Sequence, residues 1–180
     1  MKYLGVKIDW RLQWEEHLKY LEEKTWKILP KILSLCQNTY GYSTLARRTM
    51  LYGTIGAYYR YASTCYSSVL HTKENMKRIS MLHQKLNVCI GRIYKTASCL
   101  GTSTIIGQPP LVLEITARSI LISLKKRWTV NWSLFGRPSD GVDQVEHLNR
   151  QVILVWQEWW DNCRSGMYVH TYVRSTCVPT

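Results

Sequence analysis

The chain has 180 residues and a formal charge of +12, from 24 Lys and Arg against 12 Asp and Glu. Hydrophobic residues make up 46% of it, enough for a real core, so global disorder is excluded, and the length fits one domain of ordinary size or two small subdomains. The charge is concentrated: residues 24–137 hold seventeen basic groups against Glu74 and Glu114, net +15, while residues 1–23 and 138–180 carry −1 and −2. A block with that imbalance repels itself unless something anionic lies against it. Candidate partners are nucleic acid, an acidic membrane surface or an acidic protein. Eight Trp and twelve Tyr against one Phe add rings with polar handles, which suit contact surfaces as well as cores.

Leu4, Val6 and Ile8 alternate within Tyr3–Ile8, which predicts one short strand ended by Asp9. A helix follows, with Trp14, Leu18, Leu21, Thr25, Ile28, Ile32 and Leu35 recurring every three or four residues. Pro30 lies inside that pattern and predicts a kink or a split. Residues 38–42 read as a turn around Gly41. Ser43 then reads as the N-cap of a second helix whose buried stripe is Leu45, Leu51, Ile55, Tyr58 and Ala62. Gly53 and Gly56 weaken that helix by about 1 kcal/mol each unless a neighbouring helix packs closely there.

A third helix is predicted from Thr72 to about Tyr94. Met76, Ile79, Leu82, Leu86, Ile90 and Ile93 share one apolar arc, while Lys73, Lys77, Arg78, Lys85, Arg92 and Lys95 fall on the other side. Arg78, Lys85 and Arg92 are seven apart and form one line. Residues 96–110, rich in Ser, Thr and Gly, read as a loop closed by Pro109-Pro110. A fourth helix should start near Leu111, with Leu113, Ala117, Leu121, Leu124 and Trp128 on one face and Lys125-Lys126-Arg127 at its basic end. Gly136 to Gly141 form a break. A fifth helix, Val142 to about Asn162, has the stripe Val145, Leu148, Val152, Trp156 and Trp159. Gly166 precedes a segment, Met167 to Val173, that could form a second strand.

The fold class is thus mainly α: about five helices, one short N-terminal strand and a candidate C-terminal strand. Three segments follow: 1–12, 13–137 and 138–180. No run resembles about 20 consecutive apolar residues, so no membrane partner is expected. The six cysteines contain no C-x-x-C pair, and no charged-then-apolar leader opens the chain, so they are expected to be reduced and the protein intracellular.

Catalysis needs converging groups, and they are scarce. Ten of twelve carboxylates lie in the two terminal segments, and the five histidines have no metal-ligand spacing. Asp9, Glu15 and Glu16 read as a strand end and a first helical turn rather than as an acidic site. No catalytic and no metal-binding residue is assigned. Phosphate contact has better support: Lys77, Arg78, Lys85, Arg92 and Lys95 on the third helix, with Arg47, Arg48 and Arg60 on the second. Tyr40, Tyr42, Tyr52, Tyr58, Tyr59, Tyr61 and Tyr66 are interleaved with the latter and could touch sugar and base, or lie at a helix interface. Trp156, Trp159 and Trp160 could form a partner-binding patch or pack inward.

Several motifs also fall in a familiar order. Lys2-Tyr3-Leu4-Gly5-Val6, then Ile8-Asp9, Leu12, Trp14 and His17, resembles the motif that closes the palm of non-LTR (LINE-type) retrotransposon reverse transcriptases. Leu51-Tyr52-Gly53 to Tyr66 resembles the family's tyrosine- and glycine-rich helix end. Gln84 to Ser98, Gly107 with Pro109-Pro110-Leu111, and Trp156-Gln157 with Trp160 and Gly166 resemble three later segments, and the arthropod target-site-specific elements look most similar. The resemblance implies a C-terminal thumb and following region, with Tyr3, Leu4 and Gly5 in primer-grip-like positions and the basic helices against template–primer duplex. The family's catalytic F-A-D-D strand and its C-C-H-C knuckle are not in this sequence.

The resemblance therefore implies a fragment that is no enzyme as it stands, from a parent RNA-directed DNA polymerase that needs Mg2+. The expected partners are an RNA–DNA or other nucleic-acid duplex and the missing palm, in the nucleus if the protein is functional. The alternative is a helical protein-interaction module using the tryptophan-rich last helix.

Overall fold

The computed structural model describes residues 1–36, 42–139 and 141–162. The turn expected around Gly41 and the strand expected at Met167 to Val173 lie outside the described residues, as does Tyr40. Within them the fold is mainly helical with one two-stranded sheet.

The N-terminus is a hairpin, not the single strand expected. β1 (Lys2–Tyr3) pairs antiparallel with β2 (Val6–Lys7), Tyr3 opposite Val6. Leu4 and Gly5 take φ of 44° and 82°, the two left-handed conformations that a two-residue hairpin turn requires. Glycine adopts this freely; leucine does not. The Tyr61 hydroxyl donates to the Leu4 carbonyl at 2.9 Å and helps hold the turn. Of the alternating set only Val6 is buried, and Leu4 stands out in solvent.

Asp9 ends the hairpin and starts the next element. Its two carboxylate oxygens accept from the backbone N–H of Gln13 at 2.9 Å and of Trp14 at 3.0 Å. α1 (Glu15–Cys36) follows, with Glu15 and Glu16 in its first turn where the dipole favours them. It runs unbroken through Pro30, contrary to a split. Pro30 is exposed, so the carbonyl that loses its N–H partner faces the solvent side, while buried Leu29 and Ile32 on either side tie the helix to the core.

α2 (Thr44–Leu51) is capped by the Ser43 hydroxyl, which accepts from Ala46 N–H at 3.2 Å. It passes directly into a π-helical turn (Tyr52–Gly56) and then α3 (Ala57–Arg60). The wider turn advances the buried stripe by one residue. Tyr52 and Tyr59 are buried, Tyr58 is only half-buried, and Leu45 is exposed. The glycines are not explained by a neighbouring helix. Gly53 faces open space, and a Cβ on Gly56 would meet the Arg60 guanidinium at 3.3 Å.

After Ala62, at φ 54°, come α4 (Ser63–Tyr66) and a 3-10 turn (Ser67–His71). α5 (Lys73–Gly91) buries Ile79, Leu82, Leu86 and Ile90 as its pattern predicts, and ends with Arg92 at φ 52°. The expected loop 96–110 contains instead α6 (Cys99–Ile106), capped by the Ser98 hydroxyl and closed by Gly107 at φ 68°. α7 (Leu111–Lys125) and α8 (Gln144–Asp161) complete the chain, the latter capped by Asp143. With the continuous run from Thr44 to Arg60 taken once, the described residues hold seven helices rather than five; α4 and α6 are the additions.

Two apolar cores result. The larger joins α1 to α6 and takes in Leu111, Val112 and Ile115 of α7. The smaller gathers Leu113, Ile120, Phe135, Leu148 and Val155, with Trp156 and Trp159 packed against it. α7 therefore serves both. Among the described residues, no single helix is long and apolar enough to cross a membrane.

Candidate nucleic-acid interface

The eight cations singled out in the sequence divide into two groups. Three are engaged inside the fold. Arg47 is 7% exposed, with its guanidinium 3.5 Å from the Thr44 hydroxyl. Arg48 Nη1 donates to the carbonyls of Ile106 and Gly107 at 3.1 and 3.4 Å, satisfying the C-terminal end of α6. Arg60 pairs with Glu114 of α7 and donates to the Tyr52 carbonyl at 3.0 Å, an acceptor at the π-turn. This bridges the two halves of the larger core. Substituting Arg60→Gln should cost about 1–3 kcal/mol, because Glu114, 18% exposed, would lose a charged partner. A double-mutant cycle with Glu114→Gln checks it; a coupling near zero would show the pair to be idle.

Arg78 is also partly drawn in. Its Nη2 lies 3.9 Å from Glu15 and 3.7 Å from Glu74, and its side chain is only 20% exposed. Arg92 sits beyond the helix end in a left-handed conformation. The seven-residue line of Arg78, Lys85 and Arg92 is therefore interrupted at both ends.

The remaining cations lie on α5 and just beyond its C-terminal end. Lys77 and Lys85 are exposed about two turns, or about 12 Å, apart along the axis. Lys85 Nζ lies 4.4 Å over the ring of Trp26 on α1, a cation–π contact that holds the amine in place while leaving it at the surface. Beyond Gly91 the chain folds back along the helix. The Gln84 side-chain amide donates to the carbonyls of Lys95 and Ala97, which places Lys95 beside the turn that bears Lys85. Lys77, Lys85, Arg92 and Lys95 are exposed, and none forms an ion pair among the described residues.

The tyrosines divide similarly. Tyr52, Tyr59 and Tyr66 are buried, Tyr58 lies under Lys24 at 3.8 Å, and Tyr42 and Tyr61 are exposed. On α8, Trp160 is buried and Trp156 and Trp159 pack on the smaller core, so those rings point inward. Tyr3, Leu4 and Gly5 form the tip of the hairpin, with Tyr3 and Leu4 both exposed.

One constellation went unremarked in the sequence. The Tyr52 hydroxyl donates to Asn87 Oδ1 at 2.8 Å and lies 2.9 Å from His83 Nδ1. Asn87 Nδ2 lies 3.0 Å from His83 Nε2 and 3.1 Å from the Ser103 hydroxyl, which is itself 2.8 Å from His83 Nε2. With its proton given to Asn87, Tyr52 accepts from His83 Nδ1–H, which fixes a neutral imidazole. Burial drives the His83 pKa down to about 3 and pushes Tyr52 well above the ordinary tyrosine value. Ser103, His83 and Asn87 are 0–1% exposed, so the group cannot receive a substrate and acts as a polar pin between α5, α6 and the π-turn. Its sequence signal was His83 and Asn87 one turn apart within the apolar arc of α5. Among the described residues, no three His, Cys, Asp or Glu side chains come together as metal ligands.

Comparison with known proteins gives a consistent set of relatives. The Retrovirus-related Pol polyprotein from type-1 retrotransposable element R1 4 of Nasonia vitripennis is 24% identical over 174 residues, covering 92% of this chain and 43% of that protein. The corresponding polyprotein of element R1 of Bradysia coprophila is 24% identical over 192 residues, covering 97% of this chain and 18% of its own length. That of element R1 2 of Nasonia vitripennis is 22% identical over 183 residues, covering 96% and 43%. The chain thus spans less than half the length of these relatives. No family model and no solved structure matches it. The order of motifs from the Tyr3-Leu4-Gly5 turn to the tryptophans of α8 and the similarity over nearly the whole chain agree: the chain is similar to a region of the Pol polyproteins of insect R1 non-LTR retrotransposable elements.

Proposed function

We propose that this chain is a fragment of a retrotransposon RNA-directed DNA polymerase, and that its own task is to grip template–primer duplex without reading its sequence. The observation that carries this reading is the outer face of α5. There Lys77 and Lys85, with Arg92 and Lys95 just beyond the helix end, stand exposed with no ion-pair partner among the described residues, within a segment of net charge +15. Amines and guanidinium groups at that spacing suit the phosphates of a duplex backbone. The partners would be an RNA–DNA hybrid, or another duplex, and a palm region. The palm would carry the carboxylates that hold Mg2+; none of that chemistry is assigned to the residues described above. The place of action would be the nucleus.

Binding of this kind displaces condensed counterions. Four phosphate contacts predict that affinity for an RNA–DNA duplex falls about a hundredfold between about 50 and about 200 mM salt, at a slope of roughly −0.9 per contact. The triple variant Lys77→Glu, Lys85→Glu, Lys95→Glu should weaken binding by more than about tenfold at low salt and flatten that slope. Fluorescence anisotropy with a labelled hybrid reads both. Affinity that is independent of salt, or unchanged in the triple variant, would remove this face from the role.

A further inference from the structure

A second group of aromatic and basic side chains lies on other elements. Beyond the C-terminal end of α7 the chain turns back as Trp128 to Ser139 before α8 begins. Leu124, Trp128, Val130, Trp132 and Arg137 line a cleft of about 490 Å3 there. That volume is within the range of sites that hold small organic groups, about 300–1,000 Å3. Trp128 is 57% exposed, a large apolar ring left in solvent at the rim. Trp132, half-buried in the lining, lies 6.0 Å from the His147 ring and edge-on to it.

The charges at this cleft favour an anion. Arg137 lines it, and Lys125, Lys126 and Arg127, all exposed, lie in the chain between its lining residues Leu124 and Trp128. No described carboxylate lines it, and nearby Asp143 is occupied as the N-cap of α8, accepting from Val145 N–H at 2.9 Å. A flat ring presented next to a row of cations matches a ligand with a π-face joined to a phosphate. In a duplex the base faces are covered by their neighbours; an unpaired nucleotide offers one freely.

We propose that this cleft binds single-stranded nucleic acid, with an unpaired base stacked on Trp128 and its phosphates held by Arg137 and the Lys125–Arg127 cluster. The site differs in place and in chemistry from the α5 face. It takes a strand that has left, or not yet entered, a duplex.

The test uses the whole chain and an oligo(dT) of about 12 nucleotides, with a blunt duplex as reference. Trp128→Ala should weaken oligo(dT) binding by about tenfold and leave duplex binding unchanged, since stacking on one ring is worth roughly a factor of ten or more. Trp128→Phe should recover most of the loss because it restores a ring, and Arg137→Ala should weaken oligo(dT) binding as well. Thermal melting of each variant confirms that the fold is kept. Equal oligo(dT) affinity of the wild type and Trp128→Ala overturns the assignment. So does a wild type that binds no oligo(dT), or a loss of the same size for oligo(dT) and duplex. If the wild type binds no duplex at all, the α5 reading falls, and the cleft is judged on oligo(dT) alone.

Discussion

Tyr52→Phe should lower the free energy of unfolding by about 2–4 kcal/mol, although it removes a single oxygen atom. The hydroxyl answers two buried groups at once: it donates to Asn87 Oδ1 at 2.8 Å and accepts from His83 Nδ1 at 2.9 Å. Without it both are left in a site that water does not reach, and each stranded group costs about 1–3 kcal/mol. The ring remains, so packing in the larger core changes little. Urea unfolding should show a lower midpoint with an unchanged slope. Tyr58→Phe, six residues after Tyr52 in the chain and only half-buried, should stay within about 0.5 kcal/mol of the wild type. If both variants melt alike, the pin contributes nothing.

Acid should destabilise the protein more steeply than its few carboxylates suggest. His83 is neutral in the fold, with a pKa of about 3 against an ordinary value of 6.5. The unfolded chain therefore binds a proton that the folded chain refuses. The stabilisation is fully present above about pH 6.5 and is lost as pH falls through the interval down to about 3. One such group gives a slope of up to about 1.4 kcal/mol per pH unit over that interval. His17, whose pKa burial also lowers, adds to it in the same direction. The check is to measure stability at intervals between about pH 7 and about pH 4 for the wild type and for His83→Gln. The wild type should lose stability with the steeper slope; parallel curves would mean that His83 is charged in the fold.

How far the sequence could be read depended on where polar atoms found their partners. α5 and α8 were legible because their polar and apolar residues separate at helical period. α6 was not. Its Thr102, Ser103 and Thr104 look like loop residues, yet their hydroxyls donate to carbonyls three or four residues back, at 2.8 to 3.0 Å, and Thr102 and Ser103 are fully buried. The π-turn shifted the buried stripe by one residue, which no fixed period anticipates. The cations were legible as a block but not one by one. Arg48 and Arg60 serve carbonyls 58 and 8 residues away, and such pairings depend on tertiary structure. The Trp128 cleft joins segments on either side of the Gly136–Gly141 break, so no single stretch of chain announced it.

The sharing of α7 between two cores also imposes an order of assembly. As the chain lengthens from its N-terminus, every residue of the larger core has been made by Ile115. Leu113 and Ile120, which belong to the smaller one, then sit on a helix already docked along its other side, while Leu148 and Val155 are still to come. The second core is thus laid onto a finished surface instead of collapsing by itself. Until α8 arrives, the apolar side chains of that surface lack the cover that Leu148 and Val155 give them, and the interval is when a chaperone or a neighbouring chain has its opportunity.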